Sequence, residues 1–151
     1  MNSKIVHLAE FKSDLGKKTV LVGGCFDILH IGHVRFLQAA KKQGDILIVV
    51  LESDEFIKNA KKRLPFHDID ERAEVLAALT AVDVIILLPP LETDEDYANV
   101  VKQIHPDVIA ITANDPQEAN KRNHAQLINA KVEIVTPHLP GRSTTDILKS
   151  L

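Results

Sequence analysis

Short unbroken apolar runs alternate along this 151-residue chain with stretches in which apolar positions recur at helical spacing. Thr19–Val22, Ile46–Leu51, Val82–Leu88, Val108–Thr112 and Lys131–Thr136 read as strands. Ile46–Leu51 shows no polar alternation, the mark of a strand buried on both faces as in a parallel sheet. Between the runs, His33–Gln43 reads as a helix with Gly44 just beyond its end. Ser53 or Asp54 caps a second helix that Pro65 closes, and Asp68 caps a third whose inner face is Ile69, Ala73, Leu76 and Leu79. Thr93 caps a fourth, with Tyr97, Val100, Val101 and Ile104 inward, and a fifth spans Pro116–Asn129. A last helix follows Gly141 and a run of three hydroxyl residues. No connection is short enough for a hairpin, so the strands should form one right-handed, Rossmann-like, doubly wound α/β sheet of five parallel strands. That single domain is expected over 19–151, behind an extension, 1–18, that packs against it. Within the extension, Val6, Leu8, Phe11 and Leu15 fit a weak helix, with a short edge strand at Ile5-Val6 as the alternative.

Composition narrows the partners more than the fold. A net charge of −3 provides no broad basic footprint, which argues against nucleic acid as the main partner. The longest apolar runs fall far short of a membrane span, and the amino terminus lacks the apolar core of a signal peptide. A lone cysteine, Cys25, suits a reducing compartment, and a cytoplasmic location is expected.

The chemistry concentrates where the first long run ends: Gly23-Gly24-Cys25-Phe26-Asp27-Ile28-Leu29-His30-Ile31-Gly32-His33. A strand, a glycine turn and a helix start bring free backbone N–H groups and a positive dipole end to one point, which suits phosphate. His30 and His33 fall on one face of that turn with Gly32 between them. Asp27 is read either as a ligand-side carboxylate or as an Asx cap of its own turn. Cys25 reads as a small turn residue rather than a nucleophile. His7, His67 and His138 show no metal-site spacing, and His105, before a proline, reads as structural.

This block resembles the signature of the cytidylyltransferase-like branch of the HIGH-motif nucleotidyltransferases. Three further blocks agree with the resemblance: Ser53-Asp54-Glu55-Phe56, Glu71-Arg72 and Gly141-Arg142-Ser143-Thr144-Thr145. Within the family the chain is most similar to the adenylyltransferase domain that makes ADP-heptose from heptose 1-phosphate, and glycerol-3-phosphate cytidylyltransferase and archaeal-type FAD synthetase share the blocks. The resemblance implies transfer of a nucleoside monophosphate from ATP or CTP to a phosphorylated small molecule, with pyrophosphate released. It implies Mg²⁺, held mainly by the nucleotide phosphates and water rather than by protein ligands. Small members of the family commonly pair, so a homodimer is expected.

Carried over residue by residue, the resemblance implies that Gly24, Cys25, Phe26, Asp27, His30, Gly32 and His33 meet the nucleotide, with both histidines catalytic. Lys61 and Lys62, from the basic run 58–63, are expected on the phosphates, against the plain reading of a solvated helix end. Arg72 is expected to reach phosphate; from the sequence alone it could pair with Asp68 on the helix surface. Asp27 and Lys41 are expected on the acceptor, Lys41 being equally readable as a surface lysine. Asn114 and Asp115 stand where relatives carry a glycine-rich loop beside the nucleotide, and only the aspartate persists. Ser143, Thr144 and Thr145 are expected on the triphosphate. Lys121, Arg122 and His124 read as a solvated helix face. The class that competes with an enzyme is a nucleotide-binding regulatory module, motivated by the altered 112–115 loop.

Overall fold

Each apolar run becomes a strand, and the strands lie side by side in one parallel sheet with the order β1-β4-β3-β2-β5-β6. The computed structural model describes residues 2–13, 16–137 and 144–150, and for 144–146 the backbone alone. In chain order the elements are β1 (Ile5–His7), β2 (Thr19–Gly24), α1 (Ile31–Lys41), β3 (Ile46–Leu51), α2 (Asp54–Lys61) and α3 (Ile69–Ala77). There follow β4 (Val84–Leu87), α4 (Asp94–Ile104), β5 (Val108–Thr112), α5 (Glu118–Leu127), β6 (Lys131–Thr136) and α6 (Thr144–Lys149).

The sheet has six strands where five were expected, because Ile5–His7 pairs with Ile85–Leu87 along the edge. Ile5 packs on one side of the sheet and Val6 on the other, the alternation of a strand, and Leu8–Glu10 forms a single 3₁₀ turn in place of the weak helix. A strand this short cannot display its period in sequence.

Alternation along the strands builds two cores. Val20, Val22, Leu47, Val49 and Ile85 face α1 and α3, while Leu21, Ile48, Ile86 and Ile109 face α4 and α5. After β4 the chain crosses to the far side of β2, so β3 and β5 flank β2 on opposite sides. The carboxyl ends of β2 and β5 thus form the topological switch point at which open α/β sheets hold ligands.

Helix starts are strongly specified. Ser53 caps α2 through Phe56 N–H, and Asp68–Glu71 and Thr93–Asp96 form reciprocal capping boxes on α3 and α4. Helix α1 begins at Ile31, ahead of the expected His33, because His30 supplies the cap itself.

Candidate active site

β2 ends at Gly24, and the chain then turns through Cys25 and Phe26 into α1. The left-handed backbone of this turn is carried not by a glycine but by Phe26, at φ 46°. Such a conformation costs a bulky residue about 1–2 kcal/mol and persists only where the surroundings enforce it. Gly24 contributes space: a Cβ there would stand 3.0 Å from the Phe26 ring, which is buried.

Asp27 does not cap its own turn. It is 3% exposed and accepts from Phe66 N–H at 2.9 Å, His67 N–H at 2.9 Å and the Arg63 guanidinium at 2.7 Å. Burial works against its charge, yet the His67 and Phe66 amides and Arg63 outweigh it and hold the pKa below the usual carboxylate value. The histidine turn is thereby fastened to the segment after α2.

The histidines stack, with ring centroids 3.8 Å apart and 25° between planes, and the edge of Phe26 meets His33 at 5.1 Å. His30 Nδ1 accepts from Gly32 N–H at 3.1 Å, which leaves its proton on Nε2. His33 Nδ1 is buried without a hydrogen bond of ordinary geometry. Burial, and then the neighbouring His30, lower the His33 pKa to about 4 against the pull of the Ile28 backbone; burial also lowers His30. At neutral pH the pair is uncharged, and each ring offers one N–H donor.

These residues open onto a cleft of about 790 Å³. Lys61 and Arg63 line one flank, and the opposite flank is built from α4 and α5. Three polar pairs furnish it: Tyr97 hydroxyl to Glu52 Oε2 at 2.8 Å, His124 Nε2 to Asp94 Oδ1 at 2.9 Å, and Lys121 Nζ to Asp115 Oδ2 at 2.7 Å. Glu52 is 8% exposed; burial raises its pKa against the opposing effects of Tyr97, Arg72 and Lys121. Burial and Glu52 together raise the Tyr97 phenol.

Sequence reasoning missed most of this wall. Tyr97 reads as one more apolar position, and nothing local announces that its hydroxyl meets a carboxylate 45 positions away. His124 was expected in solvent and is instead 5% exposed against α4. Arg122 does lie in solvent, paired with Glu118.

Of the expected site residues, Gly24, Cys25, Phe26, Asp27, His30, His33, Lys61 and Asp115 line the cleft. Gly32 serves it through the N–H that orients His30. Lys62 is the exposed left-handed end of α2, φ 56°, and is not among the lining residues. Lys41 ends α1 at the opposite edge of the sheet, where its ammonium pairs with Asp83 and the Asp45 carbonyl; its expected acceptor role gives way to that tie.

Arg72 is corrected in the same way. Its side chain is 0% exposed and its guanidinium donates to the Cys25 carbonyl, the His67 carbonyl and Asp54 Oδ1, so it braces the turn from beneath rather than reaching phosphate or Asp68. Asn114 sits outside the cleft lining, exposed, with φ 62°, a conformation asparagine tolerates better than most residues. Ser143 lies outside the described residues, and Thr144 and Thr145 begin α6 with their side chains outside them.

Cys25 is partly exposed, and burial, opposed chiefly by Lys61, raises its pKa, which disfavours a thiolate. Among the described residues no group of three His, Cys, Asp or Glu converges on one point, and no helix is long and apolar enough to cross a membrane.

Comparison with known proteins agrees with this geometry. The cytidylyltransferase-like family profile matches residues 21–149. Bifunctional protein HldE of Geobacter metallireducens is 35% identical over 95% of this chain, which spans 29% of that protein's length. The FAD synthase of Pyrococcus abyssi is 39% identical over 77% of this chain and 77% of its own. The crystal structure of the lipopolysaccharide core biosynthesis protein from Thermoplasma volcanium superposes with a TM-score of 0.65 at 30% identity, covering 82% of this chain and 98% of that one. With the histidine turn at the switch point and a family match over nearly the whole sheet, the chain belongs to the cytidylyltransferase-like family, a family of nucleotidyltransferases.

Proposed function

We propose that this chain transfers a nucleoside monophosphate, AMP from ATP, to a phosphorylated small molecule such as heptose 1-phosphate, releasing pyrophosphate. The observation that carries the reading is the stacked His30–His33 pair in the first turn of α1, neutral and aimed with the helix end at the switch point of the sheet.

An acceptor phosphate is already anionic at neutral pH, so it needs no general base to attack the α-phosphorus. The step needs in-line positioning and neutralisation of the charge that develops on the pyrophosphate leaving group. His30 Nε2–H at the helix N-terminus supplies a fixed hydrogen bond there, His33 beside it supplies one when its ring carries a second proton, and Lys61 supplies positive charge from the facing flank. A bound triphosphate would also draw a proton onto the imidazoles, since an anion favours the charged ring. Of the four cleft carboxylates, Asp27 is committed to Arg63 and two amides, Asp94 to His124, Asp115 to Lys121, and Glu52 to the Tyr97 hydroxyl. They therefore do not compose a metal site; Mg²⁺ would arrive on the triphosphate, neutralising its charge, with phosphate oxygens and water as ligands.

The identity with FAD synthases supports a second acceptor, FMN, within the same chemistry. The test is pyrophosphate release by the purified chain with Mg²⁺, crossing ATP and CTP against heptose 1-phosphate, glycerol 3-phosphate and FMN. One productive pair fixes base and acceptor together. Nucleotide binding without pyrophosphate release for any acceptor would overturn the reading in favour of a regulatory module. On the productive pair, His33→Ala is expected to lower kcat by about 10²–10³, as loss of a transition-state donor does.

A further inference from the structure

Lys121 belongs to α5, on the flank of the cleft that faces Lys61. One ion pair holds it: Nζ donates to Asp115 Oδ2 at 2.7 Å, while Asp115 Oδ1 accepts from Gln117 N–H at 2.8 Å. An ammonium group carries three donors, and among the described residues Lys121 uses one of them. Its side chain is 30% exposed against 12% for Asp115, so the ammonium stays open to the cleft that both residues line.

The sheet order limits what those open donors can meet. β2 lies between β3 and β5, so Glu52, just after β3, and Asp115, beyond the end of β5, flank the Gly24 end of β2 across two strand spacings of about 10 Å. Lys121 bonds to Asp115, and its charge still favours the ionised form of Glu52. The ammonium therefore stands on the β2 side of β5, toward the histidine turn.

A clamp on the 112–115 loop is the plain use of the pair, but it leaves two donors of a cation idle in a cleft suited to phosphate. In-line transfer has a place for them, because the attacking and leaving oxygens lie on opposite sides of the α-phosphorus. With pyrophosphate leaving toward His30 and Lys61, the attacking phosphate approaches from the α4–α5 flank. Glu52, Asp94 and Asp115 line that flank and would repel an anion. Among the described residues Lys121 is the one lysine or arginine there to offset them.

From this placement we infer that Lys121 is a further substrate-binding residue, whose ammonium receives the phosphate of the acceptor and has Asp115 as its counter-ion in the empty cleft. The acceptor role expected of Lys41 thus falls to α5. The inference rests on the nucleotidyl-transfer reading of the cleft. The α-phosphate of the nucleotide offers the same anionic oxygens, and the experiment separates the two sources.

The test is calorimetry on the full chain saturated with α,β-methylene ATP and titrated with heptose 1-phosphate, glycerol 3-phosphate and FMN, with urea denaturation of each variant alongside. Lys121→Gln should weaken the phosphomonoester that wild type binds by about ten- to a hundredfold, the loss that follows removal of a hydrogen bond to a charged group, and leave the ATP analogue within about threefold. Lys121→Arg keeps the charge and should recover most of the loss. Asp115→Asn frees the ammonium and removes a negative charge, so it should bind the same phosphomonoester at least as tightly as wild type. A mere clamp gives another pattern, since breaking it from either side weakens binding and lowers the urea midpoint alike.

Equal weakening by Lys121→Gln and Asp115→Asn overturns the inference and leaves the pair a clamp. So does unchanged phosphomonoester binding in Lys121→Gln, or no phosphomonoester binding to the nucleotide-saturated wild type. Selective weakening of the ATP analogue overturns it as well, by assigning the ammonium to the nucleotide. If neither this analogue nor its CTP counterpart binds, it is the transfer reading that fails. Titration of the same phosphomonoesters into the free chain then still decides whether their binding depends on Lys121.

Discussion

Acidification should weaken this fold, and the share carried by His33 can be isolated. Burial and the adjacent His30, opposed by the Ile28 backbone, take the His33 pKa from 6.5 to about 4. At about 1.4 kcal/mol for each tenfold change in proton affinity, a gap of about 2.5 pH units corresponds to about 3 kcal/mol. Between those two values the unfolded chain binds a proton at this position that the native state refuses. Stability is therefore highest above the unfolded value, declines as the pH falls through the window, and loses the full amount below about pH 4. By pH 5 the loss is about 2 kcal/mol, which urea denaturation resolves readily. The assay compares wild type and His33→Gln at about pH 7.5 and pH 5. His30, whose pKa burial also lowers, acts in the same sense and Glu52, whose pKa burial raises, in the opposite one, but both are common to the two proteins and cancel in the difference. Wild type should lose about 2 kcal/mol more than the variant. Equal losses would show that His33 titrates as an exposed imidazole, and would remove the buried, neutral pair from the account.

Arg72→Gln should destabilise the fold by about 3–5 kcal/mol, because it strips three acceptors of a buried cation; a variant of wild-type stability that has lost nucleotide affinity would restore the phosphate role. Asp27→Asn should cost about 3 kcal/mol in urea titration, since one amide oxygen cannot serve Phe66, His67 and Arg63 together. Lys61→Ala should raise the KM for nucleotide about tenfold while Lys62→Ala leaves it near wild type, because only the first lines the cleft. Comparable effects in the two lysine variants would contradict the placement.

The inner strands β2 to β5 were legible because they are buried and therefore spell apolar runs. The histidine turn was legible because its residues are neighbours in the chain. What escaped the sequence depends on residues far apart. Arg72 meets the Cys25 carbonyl across 47 positions, and an arginine so placed looks the same in sequence as one at the surface. Asp27 could be read as a local turn cap only because its true partners lie 36 to 40 positions on. Tyr97 shows the same limit from the other side: helical period put it correctly on the inner face, but period reports burial and says nothing of a hydroxyl's partner. The edge strand Ile5–His7 could be read only as an alternative to a helix and did not enter the strand count, because its length is less than two alternations.

The central claim is that the α-phosphorus of the nucleotide is the atom transferred. It is tested most directly by supplying the productive nucleotide labelled with ³²P at either the α or the γ position and separating the products. Nucleotidyl transfer places α-label in the acceptor conjugate and γ-label in pyrophosphate, in equal amounts. Label from the γ position in the acceptor, or in orthophosphate alone, would contradict it.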